Sequence, residues 1–271
     1  MLGKLIKYEF KSTGRMLLPL YGLLLILSFL IRFSTINESN YNTDNPVMQI
    51  FAVVIVLAYV LVNFIVVIGT FVVIIQRFYK NIFGDEGYLM NTLPVKAWEN
   101  VASKTIVAFV WSILSGIVAV ISFIIMIGIK FSRIGIELSE IIKQIRIVNI
   151  KLDGLIVEMI FILLVIMIVS TIQSILHIYV SIAVGQTAQK RKVLSSIGTY
   201  IGLSVIVSII NNIVGLMFGK GTIIYTNSSN IADVLGLFNN VFLVTLIIEI
   251  VLSFIYFFIT TYMMKKKLNL E

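Results

Sequence analysis

The chain has 271 residues, of which 59% are hydrophobic and only 13% are charged, whereas soluble domains carry about 25% charged residues. This composition excludes a soluble globular protein, and the net charge of +8 in so apolar a chain does not indicate a nucleic-acid partner. The absence of cysteine and the presence of one histidine exclude disulfides, thiolate nucleophiles and the usual zinc sites.

Long runs without charged residues predict six membrane-spanning helices. A charge at the bilayer centre costs about 2.5 to 3.5 kcal/mol, and a helix needs roughly 20 apolar residues to cross the hydrocarbon core. The runs are continuous rather than alternating, which is typical of helices. We therefore predict an all-α integral membrane protein that forms a single transmembrane domain. The predicted spans are approximately 16–36, 47–76, 105–129, 159–183, 194–218 and 241–264.

Residues 1–15 predict an amphipathic helix that lies in the cytoplasmic interface. Wound as a helix, this segment places its cations on one side and its apolar residues on the other, so that the basic side faces anionic lipid headgroups. Glu9 projects from the middle of the apolar side. It is either a charge tolerated at a wet interface or a contact to a cytoplasmic partner.

The distribution of cations predicts the orientation of the chain. Six spans place both termini on the same side, and fourteen of the 21 Lys and Arg residues fall on that side. Because cytoplasmic loops carry an excess of cations, we predict that both termini are cytoplasmic.

The predicted cytoplasmic loop at residues 77–104 is longer than a connector between two spans requires. Pro94 suits the first turn of a new helix, which runs toward Lys104. Leu89 and Met90 would be exposed hydrophobic residues in water without a partner. The loop therefore predicts a surface that another protein covers.

Two stretches of the chain resemble a known family. GDEGYLMNTLPVKAWENVASK in this loop, MLGKLIKYEFKSTGRMLLPLYG at the start and the six-span layout resemble ABC-2 type transporter permeases, particularly small ones from Gram-positive bacteria. The resemblance implies that residues 1–15 form an elbow helix and that the loop forms a coupling helix, which docks on a separate ATP-binding subunit. The residues that it assigns to this coupling are Glu9, Asp85, Glu86, Leu89, Met90 and Pro94.

The resemblance also implies a function and partners. The chain would be the permease subunit of an exporter that moves an amphipathic peptide, drug or lipid-like substrate out of the cell, in the plasma membrane of a bacterium. A second permease, identical or homologous, would complete the dimer. The family also places short re-entrant helices between spans five and six, for which residues 219–240 are the candidate segment.

The chain itself has no motif for ATP hydrolysis. GLMFGKG at residues 215–221 has one spacer residue too few for a P-loop and no Ser or Thr after its lysine. We therefore expect a transport subunit that is not an enzyme and holds no cofactor, with ATP and Mg²⁺ on the partner subunit.

Glu249 is the one acid inside a predicted span, where a carboxylate must be neutral, hydrated or paired. If span six begins near Asp233, Glu249 lies at mid-membrane, near the level of His177 and Gln173. If a re-entrant segment ends at Asn239 and Asn240, Glu249 moves into the outer half and Asn211 or Asn212 becomes the better partner. Glu249 is either a structural tie between helices or a polar spot in the substrate path. The candidate residues of that path are Glu249, His177, Gln173 and Asn211.

Two further alternatives remain open. Small-residue pairs in span five, Gly198 with Gly202 and Gly215 with Gly219, predict close helix packing, either within the chain or at a subunit interface. The alternative function is a membrane immunity or sensor subunit, or an ion-coupled carrier that uses Glu249 and has no ATPase partner. A single intramembrane acid gives such a carrier little support.

Overall fold

The fold consists of six long helices. The computed structural model describes residues 2–38, 46–84, 95–128, 150–188, 190–225 and 231–266. The helices are α1 (Leu2–Glu38), α2 (Pro46–Ile82), α3 (Ala97–Ile127), α4 (Ile150–Gly185), α5 (Lys192–Tyr225) and α6 (Ile231–Lys266). The described residues contain no strand, and all six helices are long and apolar enough to cross a membrane. The structure therefore confirms the predicted helical fold and the predicted number of helices that are long and apolar enough to span a membrane.

Helix α1 contains both the segment that was predicted to lie in the membrane interface and the first predicted span. It runs without interruption from Leu2 to Glu38, so an elbow helix separate from span one is not seen in this range. Its first turns pack against α3 instead, where the rings of Phe10 and Trp111 stack with their centroids 4.7 Å apart. Gly14 permits this approach, because a Cβ atom there would lie 3.1 Å from the Trp111 ring.

The segment considered for re-entrant helices belongs to the two long helices on either side of it. Helix α5 continues to Tyr225 and α6 begins at Ile231, so only residues 226–230 lie between them. No short separate helix is seen among the described residues of this segment. The predicted coupling helix falls largely on residues 85–94, which lie outside the described residues, and α3 begins just beyond them at Ala97.

The chain divides into two compact units. Unit 1 comprises residues 1–82 and 102–135, and unit 2 comprises residues 83–101 and 136–271. Unit 1 therefore contains α1, α2 and most of α3. The residues of its buried core are Leu17, Tyr21, Leu24, Ile31, Ile55, Tyr59, Val66, Val73, Val107 and Trp111.

Unit 2 contains α4, α5 and α6, and its most extensive packing is between α4 and α6. Helices α4 and α5 form an antiparallel hairpin, because Gly185 lies against Ser196 at the turn and His177 stacks on Tyr200 further along both helices. Helices α5 and α6 are separated by five residues and also pack together. It follows that α4 and α6 run parallel to each other.

The glycines of α5 bear on one of the two alternatives left open for them. A Cβ atom added at Gly198, Gly202 or Gly215 would meet no described atom within 4 Å. The expected close packing of these glycines within the chain is therefore not seen, and their place at a subunit interface stays a prediction. In addition, none of residues 192–217 of α5 is buried.

Candidate functional site

A buried ion pair joins the three helices of unit 1. Oε1 of Glu9 in α1 accepts hydrogen bonds from the Lys104 ammonium in α3 and, over 2.8 Å, from Nδ2 of Asn81 in α2. All three residues are buried, with Glu9 only 7% exposed. We call Glu9, Asn81 and Lys104 the Glu9 cluster. Its geometry explains why an acid lies on the apolar side of α1, since that side faces α2 and α3.

The Glu9 cluster lies where α2 ends and α3 has just begun. Asn81 is the second-last residue of α2, and Lys104 is the eighth residue of α3. One turn earlier on α2, the Arg77 guanidinium donates a hydrogen bond to the Ser12 hydroxyl of α1. The two helices that flank the predicted coupling loop are thus both tied to α1 by polar contacts.

The other residues assigned to ATPase coupling are Asp85, Glu86, Leu89, Met90 and Pro94, and they lie outside the described residues. Among the described residues next to this loop, Glu99 Oε2 accepts a hydrogen bond from the Lys96 backbone N–H over 3.1 Å. This contact caps the first turn of α3 and fixes where the loop ends.

Unit 1 also holds a buried hydroxyl network in its apolar core. The Ser115 hydroxyl of α3 hydrogen bonds with the Tyr21 hydroxyl of α1 and lies 2.8 Å from the Thr70 hydroxyl of α2. Two turns further along α3, Ser122 lies 3.0 Å from the Tyr59 hydroxyl of α2. These contacts join the same three helices within their apolar spans.

Polar residues form one line along α4 and another along α6 in unit 2. On each helix the residues recur every three or four positions, which places them on one face. We call the two lines together the polar seam. Its members are Ser170, Gln173, His177 and Ser181 on α4, and Thr245, Glu249, Ser253, Tyr256 and Thr260 on α6. The two lines meet at His177 and Tyr256, whose ring centroids are 5.4 Å apart.

His177 is buried between aromatic rings. It is 8% exposed, and its ring stacks on that of Tyr200 in α5 with a centroid distance of 4.8 Å, in addition to its contact with Tyr256. Its Nε2 atom is buried and has no hydrogen-bond partner among the described residues.

Glu249 lies at the middle of α6, 18 residues after Ile231 and 17 before Lys266. Helix α6 begins at Ile231, which is the earlier of the two starts considered for span six, while the depth of Glu249 in the membrane stays a prediction. Glu249 precedes Tyr256 by two turns, or about 10 Å along the axis. Its Oε2 atom is buried without a hydrogen-bond partner among the described residues.

Three of the four candidate path residues lie on α4 and α6, although Glu249 is about 10 Å along the helix axis from the level of His177. Glu249, His177 and Gln173 all belong to the polar seam, and Gln173 is buried one turn from His177. Asn211 on α5 is exposed and does not belong to the seam. Its neighbour Asn212 donates a hydrogen bond to the Ser208 carbonyl of its own helix over 2.8 Å.

The hydroxyl residues of the seam were not among the predicted site residues. The signal that would have found them is the helical spacing of the polar minority within an apolar span, such as Ser253 and Thr260 around Tyr256. No cluster of three or more His, Cys, Asp or Glu residues suited to a metal ion occurs in the described part of the chain.

Comparisons with known protein families, characterised proteins and solved structures give no match to this chain.

Proposed function

We propose that this chain is the transmembrane permease subunit of an ABC exporter, powered by a separate ATP-binding subunit. The support from the fold is a set of six helices that are long and apolar enough to span a membrane. The support from the sequence is the 77–104 loop, whose hydrophobic residues require a partner, and its resemblance to the coupling loop of ABC-2 type permeases.

The observation that carries the proposal is the Glu9 cluster, which joins the helix ends on both sides of residues 85–94 to α1. A subunit that docks on the loop exerts force on the end of α2 and the start of α3. Since Asn81 and Lys104 both bind the Glu9 carboxylate, these helix ends and α1 respond as one body. In this proposal Glu9 contributes to coupling from inside the permease, by holding the helices together.

The partners follow from this role. Six spans make half of the usual transmembrane assembly of an ABC transporter, so a second permease, identical or homologous, completes it. Both termini lie in the cytoplasm of a bacterial cell, where ATP and Mg²⁺ bind the partner subunit. The cargo is an amphipathic or lipid-like molecule that reaches the helices from the membrane or the cytoplasm.

The test is co-purification from the native membrane. Burial of Leu89 or Met90 against the partner yields about 1.5 to 3 kcal/mol each, and Glu86 adds a charge-assisted hydrogen bond. We expect the tagged wild-type chain to retain an ATP-binding subunit, and Glu86→Lys or Leu89→Asp to reduce the retained amount at least tenfold. Glu158→Lys, at an exposed acid of α4, is the matched control and should retain it fully.

Unchanged co-purification in both loop variants would remove the loop from the mechanism. Absence of any ATP-binding subunit with the wild-type chain would favour the second candidate, an ion-coupled carrier. The observation that favours this candidate is the buried, unpartnered Oε2 atom of Glu249 at the middle of α6.

A further inference from the structure

The serine and threonine hydroxyls of the polar seam use their protons within their own helices. Ser181 donates to the His177 carbonyl, Ser253 to the Glu249 carbonyl and Thr260 to the Tyr256 carbonyl, each over 2.7 Å. Thr245 and Ser170 donate in the same way, over 2.9 and 3.2 Å. A hydroxyl has one proton and two lone pairs, so these groups present only acceptors to the seam.

The unpartnered atoms of the seam extend this pattern. Glu249 Oε2 is an acceptor when the carboxyl group is ionised, and a neutral imidazole has one acceptor nitrogen. Both Glu249 Oε2 and His177 Nε2 are buried without partners among the described residues. Leaving a buried polar group without a hydrogen bond costs about 1 to 3 kcal/mol. An ionised Glu249 and the lone pairs of the Ser and Thr hydroxyls would therefore accept hydrogen bonds from a ligand.

The central parts of α4, α5 and α6 supply no positive charge to these acceptors. No Lys or Arg occurs in residues 157–185 of α4, 193–217 of α5 or 238–264 of α6. A ligand with N–H donors and a positive charge would complement an ionised Glu249 among these lone pairs. A protonated organic amine has both.

The packing of α5 leaves its side chains uncovered beside the seam. Helices α4 and α6 pack closely, whereas none of residues 192–217 of α5 is buried. Tyr200 of α5 lies on His177, so this loosely packed helix borders the seam directly. The apolar side chains of α5 provide a surface for the hydrocarbon part of an amphipathic amine.

We propose that the polar seam binds a protonated organic amine, whose ammonium group donates to Glu249 Oε2 at the middle of the bilayer. The neighbouring lone pairs of Ser253 and Thr245 complete the acceptor environment, and the apolar part of the amine lies toward His177 and the tyrosine rings. This inference rests on the proposed function, because it identifies the bound amine with the cargo of the exporter and assigns cationic amphipathic molecules as the class of cargo.

Binding of tritiated phenethylammonium to the purified chain in lipid nanodiscs tests this proposal, with empty nanodiscs as background. 2-Phenylethanol lacks the charge, and trimethylphenethylammonium lacks the N–H donors. We expect saturable binding of phenethylammonium at least tenfold tighter than that of either competitor. Glu249→Gln should weaken it at least tenfold. Glu158→Gln, the same change at an exposed acid on α4, should leave it unchanged.

A second measurement uses the unaltered chain and does not depend on the folding of a variant. Dicyclohexylcarbodiimide modifies carboxyl groups within membranes, and phenethylammonium should slow its reaction at Glu249 at least fivefold while 2-phenylethanol does not. Absence of saturable amine binding, equal binding of the alcohol, or full binding by Glu249→Gln would each overturn the proposal.

Neither measurement requires an ATP-binding subunit. If no ATP-binding subunit co-purified with the chain, the proposed function would be wrong, but the amine-binding results would be unaffected. Failure of amine binding would in turn leave co-purification of the ATPase unaffected. The two proposals can thus fail separately.

Discussion

At the scale of single residues, the Glu9 cluster shows why a buried charge requires a partner. A carboxylate and an ammonium both lose solvation when they are buried, and their mutual attraction offsets this loss only if the remaining hydrogen bonds are made. The Oε1 atom of Glu9 accepts from both Lys104 and Asn81, which offsets part of this loss. The strength of the arrangement depends on all three side chains.

We predict that Glu9→Gln lowers the free energy of unfolding by about 3 to 5 kcal/mol, because it leaves the Lys104 ammonium buried without its carboxylate. The double variant Glu9→Gln with Lys104→Met should recover most of this loss. The measurement is unfolding of the purified chain in mixed micelles, with Glu158→Gln as the matched control at an exposed acid. Equal unfolding midpoints for the wild type and Glu9→Gln would show that the ion pair contributes nothing to the fold.

The sequence reveals single polar residues more readily than it reveals their partners. Glu9 is recognisable because it interrupts an apolar side, and Glu249 because it is the one acid in a span. Lys104 lies 95 positions from Glu9, and no local pattern joins them. The two residues pair because α1 packs against α3. The sequence pattern of residues 1–15 does not indicate this packing.

At the scale of helices, the turn between α4 and α5 depends on one glycine. Gly185 ends α4, and a Cβ atom there would collide with backbone atoms of Ser196 in α5. Side-chain rotation cannot relieve a collision with backbone, so any larger residue must separate the two helices. Gly198, on the same hairpin, has open space at its Cβ position.

We predict that Gly185→Ala destabilises the chain by about 1 to 3 kcal/mol through overpacking. Gly198→Ala should instead be neutral or stabilise by up to about 1 kcal/mol, because alanine is the better helix former. Unfolding midpoints of both variants provide the comparison. Equal effects of the two substitutions would contradict the close approach of α4 and α5 at Gly185.

The helices themselves could be predicted from the sequence, whereas their boundaries and packing could not. Absence of charge over about 20 residues identifies a span, and this signal found all six apolar helices. It does not show that a helix continues past charged residues, as α1 does through Lys11 and Arg15. Likewise, the glycine pairs of α5 indicate that close packing is feasible, but they do not specify what packs against them.

At the scale of the whole molecule, the orientation of the chain is the first quantity to measure. The chain has no cysteine, so single cysteines report sidedness without background. Lys80 and Lys190 are exposed and predicted to be cytoplasmic, whereas Ser103 on the same side is buried and unsuitable. Ser39 and Ser229 belong to the predicted outer loops.

We predict that an impermeant thiol reagent labels Ser39→Cys and Ser229→Cys in intact cells, and labels Lys80→Cys and Lys190→Cys only after permeabilisation. The excess of cations on the side of the termini is the physical reason. Labelling with the reverse pattern would overturn the assignment of both termini to the cytoplasm, and with it the cytoplasmic position of the 77–104 loop.

The most direct test of the exporter assignment is the ATPase activity of the complex that co-purifies with this chain. In nanodiscs, the wild-type complex should hydrolyse ATP in a vanadate-sensitive manner. With Leu89→Asp, the chain should be present in the membrane in the same amount while the associated activity falls at least tenfold. If the purified wild-type chain carries no ATPase activity from a bound subunit, it is not the permease of an ABC exporter.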